Sequence, residues 1–171
     1  EILFIGTRTG IESKIVPENG FTIEYIPVTG LLRKLSLKNL LVPYRFILSL
    51  IESKNLLSRF KPDIVVGTGG YVSGPVLYTA TKMNIPTLIH EQNSYPGITT
   101  RQLAKRVDSV HIALYETEKF LPKVRSLHHS GNPLRANLMK YTRAKASEVF
   151  GFLPSKKTLL IFGGSQGARR I

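Results

Sequence analysis

The sequence predicts an α/β protein built on a Rossmann-like, mainly parallel, doubly wound sheet. Short β-branched runs alternate with longer segments of helical character. Most of those runs are continuously apolar, the pattern of strands covered on both faces. Two of them end in glycine-rich turns that open helices, the punctuation of a parallel α/β sheet.

Taken in order, strands are expected at Ile2–Ile5, Thr22–Pro27, Asp63–Val66, Thr87–His90, Ser109–Ala113 and Thr158–Phe162. Helices are expected at Gly10–Val16, Leu37–Phe60, Ser73–Met83, Thr99–Lys105, Glu116–Leu121 and Arg143–Phe150. Pro62 and Pro86 stand just before strands, where a missing amide donor costs least. After Gly131-Asn132-Pro133 comes a charged helix, then Pro154-Ser155-Lys156-Lys157 and a fresh apolar run. A boundary is therefore expected there, with residues 1–133 as one domain and 134–171 as a junction and the beginning of a second. Glu1 leads straight into an apolar run, and the chain stops after a glycine turn, so it reads as part of a longer fold.

A length of 171 residues and 42% hydrophobic content suit a packed globular protein and exclude a disordered one. Cysteine is absent, which removes disulfides and thiolate metal sites. His111, His128 and His129 lack metal-ligand spacing with partners and read as structural, so no metal site is expected. Lys and Arg number 24 against 11 Asp and Glu, a net charge of +13 that favours an anionic partner. Aromatic residues are not interleaved with the basic patches as stacking platforms would be, which argues against nucleic acid.

The first glycine turn is Gly67-Thr68-Gly69-Gly70-Tyr71-Val72-Ser73-Gly74-Pro75, and the second is Gly163-Gly164-Ser165-Gln166-Gly167-Ala168. Neither has dinucleotide-site spacing or the Lys-Ser/Thr of a P-loop. Such glycines either simply tighten the strand–helix turn or let backbone amides approach a phosphate at a helix start. Two such turns, each following a strand's carboxyl end, favour anion binding.

These two turns, with His90-Glu91-Gln92-Asn93 and Gly131-Asn132-Pro133-Leu134-Arg135 between them, resemble one family in order and spacing. It is the MurG family, the UDP-N-acetylglucosamine–N-acetylmuramyl-(pentapeptide) pyrophosphoryl-undecaprenol N-acetylglucosamine transferases. The resemblance spans essentially the whole chain. It implies a GT-B glycosyltransferase, of which this chain would carry the acceptor-binding amino-terminal domain and the start of the UDP-sugar domain. The implied reaction is an inverting hexosyl transfer from UDP-N-acetylglucosamine to the 4-hydroxyl of an undecaprenyl-linked acceptor. No cofactor or catalytic metal is implied, because a helix dipole and amides stabilise the leaving diphosphate. The implied location is peripheral, on the cytoplasmic face of the bacterial plasma membrane. The family's first glycine loop and most of its nucleotide domain have no counterpart in this sequence. A transferase acting on a membrane glycerolipid and a non-catalytic membrane adaptor are the alternatives.

The resemblance implies a donor-sugar contact for Asn93 and a UDP-sugar contact for Arg135, and Ser165 is a further UDP-N-acetylglucosamine candidate because its hydroxyl and the amides of the second glycine turn can converge on phosphate. Residue chemistry allows each another role: an Asx turn at Asn93, a solvated helix-start cation at Arg135, an N-cap at Ser165. Gly69, Gly70 and Tyr71 are the candidates for holding the acceptor diphosphate. Glu91 is a candidate for acid–base chemistry or, equally, for orienting its loop through backbone bonds. Between Leu31 and Lys61 seven basic residues face a single acid, Glu52, among many apolar side chains. The apolar runs fall well short of the ~20 residues that span a bilayer. Leu35–Phe46, with Leu37, Leu41, Arg45 and Phe46, is instead expected to lie on an anionic membrane surface, the remainder of the helix being ordinary core.

Overall fold

The computed structural model describes residues 1–30, 41–136, 140, 142–153 and 155–161. The chain falls into two compact units, Glu1–Asn132 and Pro133–Ile171.

The first unit follows the βα rhythm read from the sequence. Its elements are β1 (Leu3–Gly6), α1 (Glu12–Glu18), β2 (Thr22–Tyr25), α2 (Leu41–Phe60), β3 (Val65–Gly67) and α3 (Ser73–Lys82). They continue as β4 (Thr87–Glu91), α4 (Ile98–Leu103), β5 (Ser109–Ile112), a 3-10 helix (Tyr115–Phe120) and β6 (Leu127–His129). Every strand pair is parallel. The strands form two sheets, β1-β2 and β3-β4-β5-β6. The second unit contains α5 (Arg143–Phe150), capped by the Thr142 hydroxyl on the Lys145 amide and ended by Gly151 in the left-handed region.

Two expectations need correction. The run Thr158–Ile161 forms no strand and is exposed, because an apolar run becomes a strand only when another strand pairs with it. Conversely, β6 went unrecognised, since Leu127-His128-His129 has no apolar signal and is a strand only through its ladder with β5. The Glu116–Leu121 segment forms, but with 3-10 geometry. Of the proposed Leu37–Phe60 helix, residues 37–40 lie outside the described residues, as do Leu37 and Ser165 among the candidate sites.

The core joins α2, α3, α4 and the four-stranded sheet, with Leu77, Ala80, Ile89, Val107, Val110 and Ile112 fully buried. The helices stop where the chain turns left-handed, at Lys61 after α2 and Asn84 after α3. A polar clasp fixes the amino ends of β4 and β5. The Asp108 carboxylate accepts the Thr87 amide (2.9 Å) and hydroxyl (2.8 Å), and the Asp108 amide donates back to that hydroxyl (3.1 Å). Donation from Thr87 holds the Asp108 carboxyl below its ordinary pKa, with Arg125 adding to the effect. Towards the other end of the sheet, His90, His111 and His128 are register partners on adjacent strands. The rings of His111 and His128 stack 4.7 Å apart. Burial and the two neighbouring histidines push the His111 imidazole down. Among the described residues no cluster of three or more His, Asp or Glu could hold a metal ion.

Helix α2 packs on α3, and along it Ser49 and Ser53 are fully buried, with Leu56 and Leu57 beyond them. Both serine hydroxyls return to carbonyls of their own helix, Ser49 to Arg45 (2.7 Å) and Ser53 to Ser49 (2.6 Å), so neither is left unpaired. The large apolar residues of the same stretch, Tyr44, Ile47 and Ile51, stay more than half exposed.

Glycine at position 67 is a packing requirement. A β-carbon there would run into Leu77 Cδ1, itself fully buried, and lie 3.3 Å from Ser73 Cβ. Gly67→Ala is therefore expected to destabilise the chain by about 1–3 kcal/mol, the scale of overpacking a core. Denaturant unfolding measures it, and an unchanged midpoint would mean that Leu77 moves aside freely.

Candidate functional site

The site lies at the carboxyl ends of β3 and β4, the edge at which open parallel sheets bind ligands. It begins with the turn after β3. Gly69 and Gly70 have φ of +85° and +72°, a region that disfavours side-chain-bearing residues, so this turn needs glycine at both positions. The Ser73 hydroxyl ties the start of α3 back to the Gly69 carbonyl at 2.6 Å. Val72, the residue at the N-cap, offers no side-chain cap; in the first turn the Gly74 amide turns back to the Tyr71 carbonyl (3.4 Å) and Pro75 has no amide proton, which leaves the Ser73 amide without a capping side chain. Tyr71 stands on this turn, 42% exposed.

The second part follows β4. Glu91 is 97% buried at the strand's end, since only 3% of its surface is exposed. Its Oε1 accepts the Asn93 amide (3.1 Å) and the Asn93 Nδ2 (2.9 Å), and its Oε2 accepts the Gly97 amide (3.0 Å). Thr100, fully buried, turns its hydroxyl toward the same carboxylate without closing a well-formed bond. Burial pushes the Glu91 carboxyl up, but the Thr100 hydroxyl and the donors of Asn93 and Gly97 outweigh it, and its pKa falls below the ordinary value. These contacts spend the carboxylate on its own loop.

Asn93 is fixed at three points. Its amide and Nδ2 donate to Glu91, and its carbonyl accepts the hydroxyl of the buried Thr117 at 2.9 Å. Its Oδ1 makes no hydrogen bond among the described residues, and the residue is exposed. The result is a pre-oriented carboxamide acceptor at the sheet's carboxyl edge. His90 faces the other way. Its Nδ1 accepts Gln92 Nε2 (2.9 Å), which leaves Nε2–H to donate to the Gly131 carbonyl (2.9 Å). His90 thus braces the chain at Gly131.

The two parts adjoin. A β-carbon added to Gly69 would lie 3.9 Å from Gln92 Oε1, so the glycine turn and the β4 loop form one surface. Within the β4 loop, Tyr95 packs edge-on against Phe120 (4.9 Å) and under the Arg101 guanidinium (5.1 Å). The sequence singled out Glu91 and Asn93 but not Thr100 or Thr117, whose roles come only from packing. On α2, Arg45 is exposed, and Phe46 is 40% exposed with its ring edge 3.9 Å from where a Gly74 β-carbon would sit. Arg135 belongs to the second unit and is exposed there. The side chain of Leu41 lies outside the described residues.

A carboxylate whose folded pKa is depressed stabilises the fold fully above its unfolded pKa of about 4.3 and loses that contribution as pH falls through the folded value. Glu91→Gln should accordingly destabilise the chain at pH 7, and its stability deficit should shrink as the pH is lowered below about 4. Urea titrations of both proteins between pH 7 and pH 3 check this, and a pH-independent difference would contradict it.

Residues 1–112 match the glycosyltransferase family 28 N-terminal domain. Over all 171 residues the chain is 47% identical to a UDP-N-acetylglucosamine–N-acetylmuramyl-(pentapeptide) pyrophosphoryl-undecaprenol N-acetylglucosamine transferase of Halalkalibacterium halodurans, of which it covers 47%. It is 45% identical to the transferase of the same description from Bacillus subtilis, again covering 47% of that protein. The crystal structure of Acinetobacter baumannii MurG superposes with a TM-score of 0.62 at 29% identity, over 80% of this chain and 38% of that one. The chain spans about half the length of the curated relatives it matches. The α/β parallel-sheet fold of a GT-B amino-terminal domain is borne out, and the chain belongs to glycosyltransferase family 28.

Proposed function

We propose that this chain is the acceptor-side part of an inverting N-acetylglucosaminyltransferase that uses UDP-N-acetylglucosamine and an undecaprenyl-diphosphate-linked N-acetylmuramyl-pentapeptide. The observation that carries the proposal is the turn at Gly69–Gly70. Its two left-handed glycines stand before a helix that has no side-chain cap, beside the loop that presents Asn93. Such a helix start favours a diphosphate, and a net charge of +13 favours anionic substrates and surfaces. The relatives named above supply the substrate class.

In this reading the acceptor diphosphate rests on the amides around Gly69 and Gly70, with Tyr71 flanking it. The acceptor's 4-hydroxyl attacks the anomeric carbon of the donor sugar. A C–O bond forms as the bond from that carbon to the UDP oxygen breaks, configuration inverts, and the hydroxyl proton passes to a base. Asn93 Oδ1 accepts from a donor-sugar hydroxyl, and Arg135 and Ser165 remain the UDP-sugar candidates that the sequence offers. Glu91 holds Asn93 in place and is not that base, because its oxygens are taken up by the loop.

The protein would work on the cytoplasmic face of the plasma membrane. Among the described residues no helix is long and apolar enough to cross a bilayer. The exposed Tyr44, Ile47 and Ile51 beside Arg45 suit the boundary of an anionic membrane.

In the protein extended to the length of its relatives, Asn93→Ala should lower kcat/KM for the donor by about 1–3 kcal/mol, the scale of a lost buried or charged hydrogen bond. Gly70→Val should instead impair use of the acceptor, because valine disfavours a φ of +72°. Steady-state kinetics with each substrate varied separate the two effects, and wild-type values in both variants would refute the assignment.

This chain itself should sediment with vesicles rich in acidic lipid, bind neutral vesicles weakly, and detach as salt rises. Ile47→Glu with Ile51→Glu should abolish sedimentation while circular dichroism stays native, since both side chains are already in solvent. A folded double variant that still binds would place the membrane contact elsewhere.

A further inference from the structure

We infer that Tyr95 and Arg101 form a seat for a carboxylate on the acceptor's peptide arm, beside the loop that presents Asn93. The identity of the occupant rests on the acceptor proposed above; the preference for a carboxylate beside an aromatic ring does not.

The cation comes first. Arg101 lies on α4, partly buried, and its Nε is wholly covered without a hydrogen-bond partner. Among the described residues its guanidinium makes no hydrogen bond and no ion pair, and what it meets is the Tyr95 ring, 5.1 Å away. Arg59 and Arg125, by contrast, each meet a carboxylate, Glu24 at 2.6 Å and Asp108 at 3.0 Å. Glu91, the acid of the same loop, is closed to Arg101, because Asn93 and Gly97 take its oxygens. In the 3-10 helix Glu116 and Glu118 are exposed, and Glu118 turns to His129 (3.3 Å). A partly buried guanidinium gains most from a charged partner, and a carboxylate matches its fork with two parallel bonds.

The apolar surface beside it is aromatic. Tyr95, Ile98 and Phe120 are exposed by 57%, 64% and 39%. Rigid rings so placed offer contact area to an apolar group at little cost in side-chain entropy. Lys119 stands 5.1 Å from the Phe120 ring centre, so a second cation borders the same aromatic pair. Cations beside exposed rings suit a short peptide, which carries carboxylate and apolar groups together. A bare diphosphate would use the cations and leave the rings in water.

The placement follows from the bonds that hold Asn93. Gly97 gives its amide to one oxygen of Glu91 and its carbonyl to the Arg101 amide (3.0 Å), while Asn93 is bonded to the other oxygen of Glu91. Phe120 belongs to the same 3-10 helix whose Thr117 holds the Asn93 carbonyl. Tyr95 follows Asn93 by two residues, at most about 7 Å along the backbone. A pentapeptide spans up to about 17 Å when extended. An acceptor sugar beside Asn93 therefore has the reach to lay its peptide across Tyr95 and bring a carboxylate to Arg101. Arg101 is then a binding residue for the acceptor, with no part in the bond exchange.

The probe for this chain is soluble N-acetylmuramyl-pentapeptide, compared with the same compound amidated at every carboxyl group. In an NMR titration the parent compound should shift the Arg101 Nε–H and Tyr95 ring resonances, and the amidated one should bind at least about tenfold more weakly. Arg101→Gln should remove that preference, Arg101→Lys should retain part of it, and Tyr95→Ala should weaken both compounds. No binding, equal binding of the two compounds, shifts confined to other residues, or equal shifts with inorganic pyrophosphate or UDP would each overturn the inference, and none of these readings needs a folded variant. In the protein extended to the length of its relatives, Arg101→Gln should raise KM for the acceptor about tenfold and leave KM for the donor unchanged. Wild-type acceptor kinetics in that variant would sink the seat and leave the proposed reaction standing. Absence of transfer by the unaltered protein would instead remove the reaction, while carboxylate-dependent binding at Arg101 would still support the seat.

Discussion

The upper edge of the first unit depends on one buried carboxylate. An ionised Glu91 inside the protein would be prohibitive without donors, since a desolvated charge costs several kcal/mol even after relaxation. The donors that satisfy it come from Asn93 and Gly97, so the loop must wrap around the acid to keep it ionised. That wrapping sets where α4 begins, presents the Asn93 carboxamide, and aligns the Asn93 carbonyl for Thr117. His90, one residue earlier on β4, reaches the opposite way to Gly131. Two neighbouring strand residues therefore carry the loop on one side and the approach to the second unit on the other.

Much of this was legible in the sequence, for reasons specific to particular residues. Short segments rich in β-branched and apolar residues at Thr87–His90 and Ser109–Ala113, each bounded by turn residues, announced strands, and the parallel ladder between them followed. The pair Gly69-Gly70 announced a turn that other residues disfavour, and both glycines have positive φ. What remained hidden depended on partners distant in sequence. Residues 127–129 are a strand only because β5 lies beside them, whereas Thr158–Ile161, with a better local signal, has no such neighbour among the described residues. Glu91 could equally be read as a catalyst or a loop organiser until the positions of Gly97 and Thr100, six and nine residues on, were known.

The division of the sheet was hidden in the same way. Nothing in the run Ile2–Ile5 or in Asp63–Val66 says which strand stands beside it, because a strand buried on both faces reads the same with one neighbour or two. The difference surfaces only as exposure. Ile64 and Val66 are half in solvent although their sequence is that of an inner strand.

Helix α2 shows a related inversion and links it to the site. A surface helix ordinarily buries its large apolar residues and exposes its small polar ones. Between residues 44 and 53 of α2 the serines at 49 and 53 are inside and Tyr44, Ile47 and Ile51 are outside. The buried serines leave no unpaired hydroxyl, because each bonds its own helix. The exposed apolar face is thus built at the expense of the usual burial, not left over from it. Phe46 touches the first turn of α3 near Gly74, directly behind the Gly69–Gly70 turn. Helix α2 thus has two different sides: Phe46 lies on the same side as the buried Ser49 and Ser53 and reaches the start of α3, while Tyr44, Ile47 and Ile51 on the other side are left to solvent.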